Sequence, residues 1–233
     1  MKAAEQSDMP QITAARQLDA GVLPLPVAEL WAPVHTPGRT RYLSEADAEL
    51  IRACVAGDQT AWETFIARHQ SRVYNVTFHM THDPDRAADM AQEALLQILK
   101  SLPRFRGEAS LTTWIHGLTM RVCLHHLRRE KRRQTESWEE LAPHRSEPEG
   151  VEGRPHESVS RQQVQHLVHQ AVAHLSLPFR SVIVLHGLAG LTYEETAAVL
   201  GLPINTVKTR VHRAKGKLRT WLELVLGDEI DAL

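Results

Sequence analysis

The chain has 233 residues, 42% of them hydrophobic, which is enough to build one large core or two small ones. Its 27 basic and 28 acidic side chains nearly cancel, but they are segregated along the chain, so the formal net charge of −1 excludes no class of partner. No apolar run approaches the roughly 18 residues of a membrane span, and the opening MKAAEQSDMPQITAARQ lacks the apolar centre of a secretory signal, so a cytoplasmic location without membrane insertion is expected.

Residues 1–43 carry five of the twelve prolines and no sustained periodicity, which predicts a flexible arm with at most a short helix around Ile12 to Leu18. From 44 to 133 the pattern turns helical. Trp62, Phe65, Ile66, Val73, Val76 and Met80 recur at three- and four-residue steps, as do Ala88, Ala91, Leu95, Ile98 and Leu102, giving two core-facing stripes. Gly57-Asp58 and Asp83-Pro84 punctuate the helices, and Pro103 ends one before the loop RFRGEAS. Cys54 and Cys123 sit far apart in helical patterns and read as ordinary buried thiols of a reducing compartment.

Residues 134–158 hold seven glutamates against two arginines, with three prolines and two glycines. Such a stretch buries too little apolar surface to offset its ordering entropy and is predicted to be a flexible acidic linker. Beyond it, residues 159–226 form a second helical unit, with a stripe at Val164, Leu167, Val168, Ala171, Val172 and Leu175 and a short tail at 227–233. The expected fold class is therefore all-α, two small helical domains joined by that linker.

The second unit ends in LTYEETAAVLGLPINTVKTRVHRAKGKLRTWL. Thr192 and Glu195 have the spacing of a capping box, Gly201 suits a left-handed helix end, and Asn205 is positioned to cap the next helix. With small Ala197 and Ala198 permitting close approach, this is the pattern of a helix-turn-helix. Ile204, Val207, Val211, Ala214 and Leu218 set the inward stripe of the second helix. Asn205, Thr206, Lys208, Thr209, Arg210, His212, Arg213, Lys215 and Lys217 are left for its outer side. Residues 206–219 hold six cations and no carboxylate, whereas a merely solvated helix mixes signs and pairs them. Short polar groups and arginines near the N-terminal end suit a major groove, with Arg210 and Arg213 for bases and Lys208, Lys215 and Lys217 for phosphates.

The first unit has a basic helix of its own, since residues 120–133 carry six cations and one glutamate. Before it, Phe105, Arg106, Gly107 and Trp114 lie close together. Aromatic groups beside cations suit unstacked bases, and they equally suit plain core packing. The segments DRAADMAQEALLQILKSLPRFRGEASLTTWIHGLTMRVCLHHLRR and HLSLPFRSVIVLHGLAGLTYEETAAVLGLPINTVKTRVHRAKGKL, in this order, resemble the extracytoplasmic function sigma factors, the two-domain group 4 members of the RNA polymerase sigma-70 family. The resemblance runs from about Ser44 to Leu226.

The resemblance implies a protein that directs core RNA polymerase to promoters. Asp85, Asp89, Gln92 and Glu93 would meet the beta-prime clamp helices, with a further contact on the beta flap. Phe105, Arg106, Gly107, Ser110, Trp114, Arg121, Arg128 and Arg129 would recognise and open the minus-ten element. The helix from Asn205 to Lys217 would read the minus-35 element as a duplex. An anti-sigma factor is an expected partner, no cofactor is implied, and no catalysis is expected. The chain departs from the family at Arg121, where Asn is frequent, at His125, where an acid is frequent, and at Leu111, where an aromatic is frequent. These departures bear on minus-ten base preference.

The alternative is a stand-alone helix-turn-helix regulator with a helical sensor domain. A sensor calls for a pocket or a phosphoacceptor Asp at a strand end, and the sequence suggests neither. Among 14 histidines, His125 with His126 and His166 with His169 are the densest pairs, yet no histidine and carboxylate set has metal-ligand spacing.

Overall fold

A computed structural model describes residues 44–137 and 161–226, and every described element is helical. The predicted arm with its short helix, most of the acidic linker, and the tail lie outside the described residues. Four helices form the first half: α1 (Glu45–Val55), α2 (Gln59–Thr81), α3 (Pro84–Ser101) and α4 (Leu111–Ser137), with a 3-10 turn at Leu102–Arg104. The second half holds α5 (Arg161–Ala173), α6 (Leu177–Val182) continuing through a π-helical turn at Ile183–Leu188, α7 (Tyr193–Leu200) and α8 (Ile204–Leu226). Helix α4 therefore runs past the predicted boundary at Arg133, since nothing in the following Gln-Thr-Glu-Ser stops a helix.

Caps set where each helix of the first half begins. Ser44 accepts the Asp47 N–H at 3.0 Å, and Asp58 Oδ1 accepts those of Thr60 and Ala61 at 2.8 and 3.2 Å. Asp83 does the same for Asp85 and Arg86, with Pro84 in the first turn where a missing N–H costs nothing. Between α2 and α3 the chain reverses at His82, the one described non-glycine residue with a left-handed backbone, φ 57°.

Phe65, Val73, Val76 and Met80 are buried as their spacing predicts, while Trp62 packs at the margin and Ile66 is only half-buried. On α3 the buried stripe is Ala87, Met90, Ala91, Ala94 and Ile98, one residue out of phase with the predicted Ala88 and Leu95. Small residues face α2 because the helices approach closely there. Thr77 of α2 donates its hydroxyl to the Ala87 carbonyl at 2.9 Å, and a leucine in that position would hold the backbones apart.

In the second half Ala171, Val172 and Leu175 are buried, and the side chain of Val164 lies outside the described set. One hydrophobic core runs through both halves, from Phe65 and Ile115 to Val184 and Leu185, and a small second cluster of Val182, Ala197, Val207 and Val211 holds the helix-turn-helix together. The two halves are thus packed against each other rather than merely tethered. α2 meets α5 and the π-helical turn, and α4 meets α7.

Candidate nucleic-acid interface

The helix-turn-helix is assembled as its spacing predicts. Thr192 accepts the Glu195 N–H at 3.1 Å, the Glu195 carboxylate takes the Thr192 N–H at 2.9 Å, and Gly201 ends α7 at φ 63°. Three details differ. The Pro203 carbonyl, not the Asn205 side chain, opens α8, accepting the N–H groups of Thr206 and Val207 at 2.9 and 3.1 Å. Asn205 consequently lies inside the first turn, where its carbonyl accepts the Thr209 hydroxyl at 2.8 Å. Ile204 is 38% exposed because it sits at the turn before the stripe reaches the core, and Ala198 is exposed while Ala197 alone makes the close approach.

Val207, Val211, Ala214 and Leu218 are buried and fix the orientation of α8. Lys208, Thr209, His212, Arg213 and Lys217 are consequently exposed, and Thr206, Arg210 and Lys215 half-exposed. The Lys208 ammonium lies 5.8 Å from the Tyr193 ring centre and that of Lys217 5.7 Å from Phe179, so aromatic faces steady two of the cations without neutralising them. Contrary to the expectation that this helix lacks intrahelical ion pairs, Arg219 pairs with Glu223 at 2.8 Å, beyond the groove-facing turns.

In the first half Phe105 and Trp114 pack together, ring centres 5.1 Å apart, both half-buried against the core. The packing reading of these aromatics is therefore realised, with part of each ring left accessible. Arg106 is exposed beside them, and Gly107 turns the loop at φ 71°. Ser110 caps α4, accepting the Thr113 N–H at 3.0 Å. Arg121, His125, Arg128 and Arg129 are exposed along α4, whereas Leu111 is buried in the core. Asp85, Asp89 and Gln92 are exposed on α3. Glu93 is already engaged, accepting from Gln97 at 3.2 Å and lying 2.6 Å from His126 Nε2, and Arg86 pairs with Glu130 one turn along.

Long-range contacts that sequence reasoning missed link the two surfaces. The Ser110 and Thr113 hydroxyls are 2.7 Å apart, and Thr113 donates to Glu195 at 2.6 Å, so the cap of α4 is joined to the cap of α7. Arg180 of α6 donates across to the Met80 carbonyl at 2.8 Å and back to those of Ala173 and Leu175 at 2.6 and 3.1 Å. The ring of His169 of α5 stacks on Phe78 and lies between His79 and His82, while the side chain of His166 lies outside the described set. Among the described residues, no helix is long and apolar enough to cross a membrane, and no set of three or more His, Cys, Asp or Glu side chains has the arrangement of a metal site.

Comparison with known proteins places these surfaces in context. Residues 65–133 match the family described as Sigma-70 region 2 and residues 159–218 that described as Sigma-70, region 4, together more than half of the chain. The RNA polymerase sigma-H factor of Pseudomonas aeruginosa is 27% identical over 189 residues, spanning 79% of this chain and 97% of that protein. The ECF RNA polymerase sigma factor SigM of Mycobacterium tuberculosis is 29% identical over 173 residues, 74% of this chain and 83% of its own. In fold the chain resembles CnrH, solved in complex with the cytosolic domain of CnrY, at TM-score 0.54 and 21% identity over 77% of this chain and 99% of that one. The Bartonella quintana sigma factor RpoE, solved with the anti-sigma factor NepR, gives TM-score 0.54 and 21% identity over 69% and 96%. The stand-alone regulator is not favoured, because the region 2 match covers the half that would have to act as its sensor.

Proposed function

The chain belongs to the sigma-70 family of RNA polymerase sigma factors, in its extracytoplasmic function branch, and we propose how its two halves divide that work. Residues 44–133 dock on core polymerase and open the minus-ten element, and residues 159–226 read the minus-35 element as duplex DNA. The observation that carries this reading is the pairing, in one chain, of two exposed basic helices with different surroundings. α8 offers cations and short polar groups on a rigid helix, which fits a major groove. α4 follows a loop in which half-buried Phe105, packed on Trp114 of the helix, stands next to exposed Arg106, which fits a base taken out of its stack.

In this reading Arg210 and Arg213 contact base edges and Lys208, Lys215 and Lys217 meet phosphates. Arg121, Arg128 and Arg129 hold the backbone of the opening strand while Phe105 and Trp114 supply ring faces. Asp85, Asp89 and Gln92 meet the beta-prime clamp helices, with Glu93 contributing through its contact with α4, and the second half meets the beta flap. The protein acts in the cytoplasm without covalent chemistry of its own, and an anti-sigma factor restrains it.

Mixing the purified chain with bacterial core RNA polymerase and a pool of genomic promoter fragments tests this directly. Discrete transcript starts that need the chain and share two spaced elements are the expected result. Duplex binding with neither core association nor new starts would overturn it.

A further inference from the structure

Three histidines meet at the seam between the halves. His169 of α5 lies flat on Phe78 of α2, ring centres 4.5 Å apart and planes 9° from parallel. Its Nε2 is 3.2 Å from Nδ1 of His82, and its Nδ1 is 3.4 Å from Nδ1 of His79. We propose that this cluster is a proton-operated latch: with neutral imidazoles it holds α5 and α6 against α2, and protonating it releases the two halves from each other.

The argument begins with donors and acceptors. A neutral imidazole has one N–H and one lone pair, so the nitrogen pairs His82 to His169 and His169 to His79 can both be satisfied when all three rings are neutral. A charged ring has N–H on both nitrogens. With all three rings charged, N–H would face N–H across both short contacts, and no arrangement of tautomers relieves that.

Among the described residues, His169 acts electrostatically on His79, and Arg180 of α6, His169, His79 and His174 at the end of α5 act on His82, every one of them opposing protonation. Burial, reinforced by His169, pushes His79 down to about 4. Burial, reinforced first by Arg180 and then by the neighbouring histidines, pushes His82 down to about 3. His82 Nε2 is also buried with no hydrogen-bond partner among the described residues. Elsewhere on the seam, burial together with Arg72 and His69 lowers His116 of α4 to about 4, and only Glu195 acts in the opposite sense.

The sign follows from proton linkage. An opened chain exposes imidazoles with an ordinary value near 6.5, so the closed form binds fewer protons than the open one. Closure is at full strength above that value and weakens as the pH falls through 6.5 towards 4. Each such histidine shifts the balance by about tenfold at pH 5.5 relative to pH 7.5, so His79 and His82 together shift it by about 100-fold. Arg180, which bridges to the Met80 carbonyl, keeps its charge throughout and adds repulsion as the imidazoles charge.

The inference goes beyond promoter reading and can fail independently of it, because its test contains neither DNA nor polymerase. Small-angle X-ray scattering and circular dichroism of the full chain are recorded at pH 7.5 and 5.5, alongside the double variant His79→Gln and His82→Gln. The wild-type chain is expected to expand reversibly at pH 5.5 with its helix content unchanged, and the variant to have the same dimensions at both pH values, whether compact or extended. A wild-type chain that stays compact, or that loses helix in the same step, overturns the latch. A variant that still expands on acidification overturns the assignment to these residues.

Discussion

The two basic helices differ in what holds their cations in place. On α8 the orientation is set by the second half: Val207 and Val211 cluster with Val182 of α6 and Ala197 of α7, Ala214 and Leu218 join the larger core, and the exposed side follows from helix geometry. On α4 the N-terminal turn is tied to α7 through Thr113 and Glu195, and the C-terminal turns to α3 through His126 with Glu93 and Glu130 with Arg86. A duplex-reading helix needs only rigidity, because the groove supplies a fixed template. In the proposed reading α4 lies beside a strand that must be unstacked, which offers no such template, and side-chain contacts with α3 and α7 hold its two ends.

The largest effect expected is on the support of α4. Phe65 is fully buried on α2, with Trp62 edge-on at 6.2 Å and His69 at 4.7 Å, so Phe65→Ala should destabilise the first half by about 3–5 kcal/mol in thermal or denaturant unfolding. Binding to a minus-35 duplex should weaken but persist under conditions where that half has melted, since Ala214 and Leu218 of α8 share the larger core with Phe65 while the cluster of Val182, Ala197, Val207 and Val211 does not include it. Loss of duplex binding in step with the first half would break the comparison. A smaller effect sharpens it: Arg210→Ala should remove about 1–3 kcal/mol of discrimination between matched and scrambled duplexes. Lys217→Ala should weaken both equally and make the slope of log affinity against log salt shallower by about 0.9. Equal losses on both duplexes for Arg210→Ala would reject its role as a base reader.

The same contrast explains what could be read from the sequence. The outer side of α8, the capping box at Thr192 and Glu195, and the turn at Gly201 are local, and each was legible because its cause lies within four residues. Errors at that level are shifts of one or two positions. Pro203 takes the place of Asn205 as the start of α8, and Ala87, Met90 and Ala94 take the place of Ala88 and Leu95 on α3. In the second case the pattern of large side chains pointed to the margin of the contact, whereas the closest helix approach selects small ones. The seam was not legible. Thr113 meets Glu195 across 82 positions and Arg180 meets Met80 across 100, and no periodicity connects residues so far apart. His169 carried a signal, as one of a dense histidine pair, but nothing in the sequence pointed to its contacts with His79 of α2 and with His82 at the end of that helix.

The smallest effect concerns Glu93, which the family resemblance assigns to polymerase docking and the structure places 2.6 Å from His126. Both side chains are about two-fifths exposed, so the contact is largely screened by solvent. A double-mutant cycle with Glu93→Ala and His126→Ala should give a coupling of only about 0.2–1 kcal/mol in unfolding. The two functions separate in the same cycle when core polymerase affinity and minus-ten opening are also measured. If Glu93 serves polymerase mainly by positioning α4, His126→Ala should reproduce its loss in promoter opening, and the double variant should lose no more than either single one. If Glu93 touches polymerase itself, Glu93→Ala should weaken core binding while His126→Ala leaves it unchanged. In that case the dependence of α4 on its neighbours rests on Arg86 with Glu130 and on the Thr113 link to α7, and Glu93 belongs to the docking surface together with Asp85, Asp89 and Gln92.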